Sequence, residues 1–552
     1  MRKQRLPLLL VVFVVLLACT QLGPDLTPAA TAEANASTPS AHETATPFHA
    51  VSTQSGTAAV PAANPGQQWL MFHRDELHTG VAEGVGSINP ATGPRVRWTY
   101  QVTAPPSEAD FIKYRWYSSF PLGDLDGDGT LEVVVTTPDN SGERDRIIAL
   151  KDMPGQNPPV QALWTYISPL PPSNWGFDQY SAALADADGD GLLDVFFSTK
   201  DGFVRVLKGT TGQIIWEFDT DHFIEAGPMI SDLDADGKQE VIVTTDCKPA
   251  PDCVPQGVQG GALYVFAANP NSANPLIWSL DLPKKSDSAE AAIADLDAND
   301  GRELKALVFG SWDGNLHVVW READGRVIQN QFDIRQFESS GGHGGGGENT
   351  VIRSTPLLYD FGQGWTAVFG WMPDWTIGTE ARIAAVRINA DMRIGTVQFE
   401  PLWNISRDDW KSSVSLLPLA GKNLVVTGYG IGTTQGTGNY GLCDPPMGGI
   451  LAIDPLTGAV VWENEFNNEG NVRGSSAVAD VDGDGQMEVV LTVGCYGKIY
   501  AFDGTTGAQE WSLQLGPRTI GTPSIGDLDG NGTLEIVVPS YDGKVYVLGG
   551  DR

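Results

Sequence analysis

The sequence predicts an all-β fold, an eight-bladed β-propeller closed by an N-terminal strand, and three observations carry that expectation. A nine-residue acidic loop recurs six times, each copy running into a short β-branched segment. A second repeat, a Thr-Gly or Asp-Gly turn leading to a strand that usually bears Trp, alternates with the first. The two chain ends each hold half of one such unit.

The clearest loop is Asp480-Val-Asp-Gly-Asp-Gly-Gln-Met-Glu488, with Val489-Val-Leu491 behind it. Acids at positions 1, 3, 5 and 9 can wrap one hard cation in oxygen, while glycine at position 6 supplies the sharp turn. The ligand sets are Asp124, Asp126, Asp128 and Glu132; Asp186, Asp188, Asp190 and Asp194; Asp232, Asp234, Asp236 and Glu240; Asp295, Asp297, Asn299 and Glu303; Asp480, Asp482, Asp484 and Glu488; and Asp527, Asp529, Asn531 and Glu535. The fourth set departs most, with Asp300 where glycine belongs and Gly301 one place late. Up to six Ca2+ ions are expected, and no organic cofactor. An EF-hand would need a bidentate Glu at position 12 and flanking helices. Position 12 is instead Val135, Phe197, Val243 or Val538, inside β-branched or aromatic runs that read as strands.

The second repeat is plainest in Val206-Leu-Lys-Gly-Thr-Thr-Gly-Gln-Ile-Ile-Trp216, and again in the runs ending at Trp462 and Trp511. Weaker copies end at Trp164, Trp278 and Trp403. Counting loops gives eight positions once the degenerate copies Ser354 to Asp360 and Ser412 to Pro418 are admitted. Counting second halves gives seven, plus an orphan at Thr92-Gly-Pro-Arg-Val-Arg-Trp98, while the chain ends at Val545-Tyr-Val-Leu548 without its Trp strand. Joining the two leftovers closes an eight-bladed ring and removes exposed sheet edges. Seven blades is the alternative, should a degenerate copy be a loop.

The acidic loops resemble the FG-GAP/VCBS repeats of integrin α-subunit propellers, and the Trp-bearing half resembles quinoprotein-dehydrogenase-like propellers. These resemblances imply calcium at the loops and a propeller body. Trp69-Leu-Met-Phe72-His-Arg-Asp75 and His78-Thr-Gly80 resemble the entry segment found before such propellers. That segment is expected to pack on the outside of the ring.

At the N-terminus, Arg2, Lys3 and Arg5 precede an apolar run from Leu6 to Ala18 that is too short for a membrane span. Leu16-Leu-Ala-Cys19 resembles a bacterial lipobox, which implies cleavage before Cys19 and lipidation of that cysteine. Residues 1–18 are thus read as a lipoprotein signal peptide, 19–66 as a Pro/Thr/Ala/Ser-rich disordered tether, and 67–552 as the propeller. Four further cysteines suit an oxidising compartment, and the expected pairs are Cys247 with Cys253 and Cys443 with Cys495.

The chain carries 35 basic and 68 acidic residues, which argues against general binding to nucleic acid. Much of this acidity belongs to the loops. Propeller topology places those loops on one face and the long connections on the other, where loops carry function on a rigid scaffold. On that second face aromatic residues cluster, among them Trp116, Trp371 and Tyr429, and Arg115, Arg353, Lys411, Arg473 and Arg518 recur before innermost strands. They either converge on a mouth for an anionic ligand, or pair with carboxylates and pack over Trp.

Three function classes remain. The first is a non-catalytic binding or adhesion module for an extracellular glycan, peptide or protein. The second is a quinoprotein dehydrogenase, whose resemblance implies an adjacent Cys-Cys pair that this chain lacks. The third is a lyase of the rhamnogalacturonan type, for which Lys411, Arg353 and His343 are candidates; His343 lies in a Gly-rich run too flexible for a preorganised base. The expectation is the first class: an exported protein, lipid-anchored to the cell or outer membrane and facing outside the cytoplasm.

Overall fold

The computed structural model describes residues 67–102, 119–137, 146–168, 181–247, 260–270, 274–286, 290–337, 350–372, 381–407, 412–430, 448–467, 469–494 and 496–550. The chain divides into units Met1–Gln54 and Ser55–Arg552; the first lies outside the described residues, as do Cys19, Arg115, Trp116, Lys411, Cys253, Cys443 and Cys495. No helix among the described residues is long and apolar enough to cross a membrane.

Eight antiparallel sheets follow one another along the second unit. Blades 1 to 7 span 122–167, 182–219, 229–281, 292–333, 357–406, 415–465 and 477–514, and blade 8 spans 524–549. Its fourth strand is Arg95–Gln101, paired antiparallel with Lys544–Gly549 so that Trp98 faces Val547. The closure expected from the two leftover half-repeats is the one observed.

Burial explains the strand compositions. Second strands such as Glu132–Thr137 and Glu488–Val493 are buried at every position, because they are covered on both faces by neighbouring blades; β-branched residues suit that environment. Outermost strands such as Leu276–Asp281 alternate between half-buried and exposed. Their Trp residues join blade to blade. Trp164 Nε1 donates to the Gly209 carbonyl at 2.5 Å, Trp216 to Ala268 at 2.9 Å, Trp403 to Pro455 at 2.8 Å and Trp462 to Gly504 at 2.9 Å, each partner lying in the next blade.

The Thr-Gly turn is the other half of this joint. Gly212, Gly458 and Gly507 have φ of 68°, 73° and 72°, and a Cβ on each would meet the Trp164, Trp403 or Trp462 ring at 2.6 to 2.7 Å. The glycine therefore serves both a left-handed backbone and the close approach of an indole. Gly507→Ala should lower the unfolding midpoint by an amount corresponding to roughly 1–3 kcal/mol more than Gly532→Ala. Gly532 shares the positive φ but has nothing within 4 Å of the added methyl. Equal losses in chemical denaturation would show that the Trp contact does not matter.

The entry segment does not pack outside the ring. It runs inside the channel and binds the innermost strand of blade after blade. Trp69 pairs with Leu122 of blade 1. The Leu70 carbonyl accepts from Leu184 of blade 2 at 2.8 Å, Glu76 from Ile293 of blade 4 at 2.8 Å and Leu77 from Leu358 of blade 5 at 3.1 Å. Thr79 then accepts from Leu416 of blade 6, and Gly80 from Val478 of blade 7, both at 2.8 Å. Strand Val81–Val85 pairs parallel with Ala477–Asp480, and the Val85 carbonyl accepts from Leu534 of blade 8 at 3.1 Å. His78 reaches blade 3, its Nε2 lying 3.3 Å from Met229 Sδ. The physical reason is the inner edge of each blade, whose backbone groups would otherwise line the channel unpaired.

His73, Arg74 and His78 take φ of 53°, 75° and 59° to make this course. Asp75 holds the turn by accepting from the backbone N–H of Leu77 at 3.2 Å and of Thr79 at 3.0 Å, and from the Thr79 hydroxyl. Burial lowers the His73 pKa to about 4 and the His78 pKa to about 3. Arg74 pairs with Asp75 at 3.7 Å and with Glu83 at 3.4 Å.

Candidate metal centres on one rim

Each innermost strand ends where its loop begins, so the loops gather on one rim of the ring, whose channel is plugged by the entry segment. In five of them one oxygen from each of the acids at positions 1, 3 and 9 lies within 4.8 Å of the others: Asp124, Asp126 and Glu132; Asp186, Asp188 and Asp194; Asp232, Asp234 and Glu240; Asp480, Asp482 and Glu488; Asp527, Asp529 and Glu535.

The loop backbone fixes these groups. Asp124 accepts from Gly127 N at 2.7 Å and Gly129 N at 2.9 Å, and Asp480 accepts from Gly483 N at 2.7 Å and Gly485 N at 3.0 Å. The position-9 acid uses one oxygen to accept the position-2 N–H. Leu125 donates to Glu132 at 2.8 Å, Ala187 to Asp194 at 3.0 Å, Leu233 to Glu240 at 2.9 Å, Val481 to Glu488 at 2.8 Å and Leu528 to Glu535 at 2.9 Å. In Asp194 the other oxygen accepts from Gly209 N at 2.8 Å.

Position 5 also braces the loop backbone. Asp128, Asp190, Asp236, Asp484 and Asn531 each accept the N–H two residues on, at 2.8 to 3.0 Å, and none belongs to a three-acid cluster. An amide oxygen accepts this bond as well as a carboxylate does, so Asn531 keeps the same turn.

The fourth loop does not assemble. Asp295 accepts from Asp297 N at 3.0 Å, Asp297 accepts from Met392 N of blade 5 at 3.1 Å, and Asp300 holds Arg302 Nε at 2.6 Å. Asp295, Asp297, Asn299 and Glu303 form no cluster of this kind. The misplaced glycine, Gly301 with φ of 76°, turns the loop one residue late.

Electrostatics make the five clusters fit a hard cation. Burial, with neighbouring carboxylates adding to it, pushes Glu132 and Glu240 up to about 7 and Glu488 up to about 9; burial also raises Glu535 to about 7 and Asp194 to about 6. All fifteen donors are carboxylate oxygens, the ligand class of Ca2+ and Mg2+ rather than of softer metals.

The basic residues expected at the opposite mouth behave differently. The Arg353 guanidinium lies over the Trp312 ring at 5.3 Å, with Lys285 Nζ at 4.2 Å from the same ring. Arg473 is buried, and the Arg518 carbonyl accepts from Tyr541 N at 3.0 Å. Trp371 and Tyr429, placed on the ligand face by their loops, are instead buried; Tyr429 donates to Glu463 at 2.6 Å. The buried Cys247 has its expected partner outside the described residues.

Eight four-stranded blades, five of them with an acidic cluster in the loop after the innermost strand, define a β-propeller with repeated acidic loops. Residues 480–538, the seventh-blade loop through the eighth, match the family model of the FG-GAP-like repeat. No curated protein matches the chain in sequence. Among solved structures, the quinohemoprotein alcohol dehydrogenase from Comamonas testosteroni is similar at 13% identity and a TM-score of 0.54, covering 90% of this chain and 82% of its own. Quinohemoprotein alcohol dehydrogenase ADHIIG from Pseudomonas putida HK5 follows at 13% and 0.53, covering 89% and 82%. A europium-containing methanol dehydrogenase has 14% and 0.51, covering 88% and 99%. At this identity the likeness is one of fold.

Proposed function

We infer that the chain is a calcium-stabilised, non-catalytic binding or adhesion propeller for a glycan, peptide or protein outside the cytoplasm. The observation that carries this reading is the division of labour between the two ends of the ring. One rim is given to metal loops, and the channel beneath it is filled by residues 69–85, hydrogen-bonded to the innermost strands. The strands flanking the long connections end on the other rim; those connections lie outside the described residues and would supply the binding surface. Lipidation at Cys19 would tie this body to a membrane through the segment 20–66, and the disulfides Cys247–Cys253 and Cys443–Cys495 would brace its loops. Calcium fits the five carboxylate clusters and would hold the loops in register.

The test is a binding screen of the mature chain against anionic and neutral glycans and peptides, run beside assays for alcohol oxidation with added quinone cofactor and for viscosity loss of pectin-like polymers. Saturable binding without turnover is expected. Turnover in either assay would overturn the non-catalytic reading.

A further inference from the structure

The five clusters differ at two positions that the loop motif does not contain. One is the residue opposite the position-9 acid on the third strand. Glu132 faces Lys151, Glu240 faces Ala267 and Glu488 faces Asp503; in blade 2 the corresponding residue is Lys208, next to Leu207, which faces Val195. The other is the residue before the outer-strand Trp: Leu163, Ile215 and Ile277 in blades 1 to 3, Glu510 in blade 7 and Arg97 in blade 8.

These choices set the charge in each cluster. Lys151 Nζ lies 2.6 Å from Asp126, 2.7 Å from Asp128 and 3.2 Å from Glu132. Lys208 Nζ lies 2.5 Å from Asp188 and 2.6 Å from Asp190, with Asp194 at 4.0 Å. Arg97 bonds Asp529 at 2.7 Å and also Glu535, while holding Asp152 at 3.1 Å. Among the described residues blade 3 has only the exposed Lys238, paired with Asp236 outside the three-acid cluster. At the blade 7 cluster no basic group among the described residues pairs with Asp480, Asp482 or Glu488, the one lysine of the blade, Lys498, being held by Glu469; Asp503 faces Glu488 across the strand pair, and Glu510 precedes the outer-strand Trp511. There Glu488 is fully buried, and its Oε1 and the Oε2 of Glu510 have no hydrogen-bond partner among the described residues.

We propose that Lys151, Lys208 and Arg97 are resident counterions for the loops of blades 1, 2 and 8, and that the blade 7 loop, extended by Glu510 and Asp503, is the primary divalent-cation site. The blade 3 loop ranks second. A tethered ammonium or guanidinium among the carboxylates neutralises them in the way a metal would, and any metal that enters must displace it or sit beside like charge. Where the added residues are acidic, only a cation from solution can do so. The inference rests on the calcium reading above and refines it.

Calorimetric titration of the metal-stripped full chain with CaCl2 tests it. One site of highest affinity, a second weaker one, and three at least ~10-fold weaker than the first are expected, since affinity follows ligand charge. Glu510→Gln should weaken the first site by ~10-fold, and Lys151→Met should move one site from the weak to the stronger class. Five equivalent sites, or a tight site indifferent to Glu510→Gln, would overturn this proposal while leaving the calcium reading standing. Absence of calcium binding would overturn both. The titration of the unaltered protein decides the ranking even if a variant fails to fold.

Discussion

Chelation should lower the melting temperature of the propeller, and by more at pH 8 than at pH 5. A site filled at ten times its dissociation constant stabilises by about 1.4 kcal/mol, so the two clusters without a resident cation would contribute roughly 3 kcal/mol together. That is a sizeable share of the net stability of a folded domain. The pH dependence follows from the raised carboxyl pKa values in the metal-free state. Glu488 at about 9, and Glu132, Glu240 and Glu535 at about 7, exceed the ordinary value of a Glu in the unfolded chain. The folded protein then binds protons that the unfolded chain does not, so metal-free stability rises as pH falls from about 9 towards about 4.5.

His73 and His78 act in the opposite sense. Their folded pKa values of about 4 and about 3 give stability that is complete above about pH 6.5 and is lost as pH falls towards those values. Calcium holds the carboxylates ionised and removes the first effect, leaving the second. Calorimetry across pH, with and without chelator, should show the two melting curves converging on acidification. A gap independent of pH would count against the buried carboxylates as its source. Asp482→Ala should abolish much of the gap at pH 8, whereas Asp360→Ala should not. Asp360 only accepts from Gly362 N at 2.7 Å and Gly364 N at 2.9 Å in a turn that has lost the other ligands.

Trp69→Ala should cost about 3–5 kcal/mol, the range for a large buried aromatic. Trp69 is completely buried, donates from Nε1 to Ser119 Oγ at 3.2 Å and pairs its backbone with Leu122. Asp75→Ala attacks the same segment through its turn, leaving the Leu77 and Thr79 amides and the Thr79 hydroxyl without their acceptor, at about 1–3 kcal/mol for each group that stays buried. Hydrogen exchange gives the sharper reading. The amides of Leu184, Ile293, Leu358, Leu416 and Val478, all donating to the plug, should lose protection together in Asp75→Ala. Amides of the second strands, such as Val134, should stay slow. Loss of protection at only one blade would mean that the plug does not act as a unit.

Much of the fold was legible because its signals are local. A glycine at position 6, an acid at position 9 and a β-branched run after it specify a turn and a strand without reference to the rest of the chain. Trp216 and Gly212 form halves of neighbouring joints, so their alternation counted the blades and exposed the unpaired halves that close the ring. Six acidic loops could be read in the same way, with the fourth departing most; the structure brings three carboxylates together in the other five, since glycine placement decides whether they turn towards one point.

Tertiary structure decided the rest because its determinants are distant in sequence and without period. Residues 69–85 show no alternation that marks them as a lining of the channel; their partners are edges supplied by blades as distant as Leu534 is from Val85, and those edges exist only once the ring has formed. Trp371 and Tyr429 belong to segments whose composition resembles exposed loops, yet neighbouring blades cover them. The charge of each metal loop depends on Lys151, Lys208, Asp503, Glu510 and Arg97. Strand register and ring closure bring those residues to the carboxylates, and no spacing within the motif reveals them.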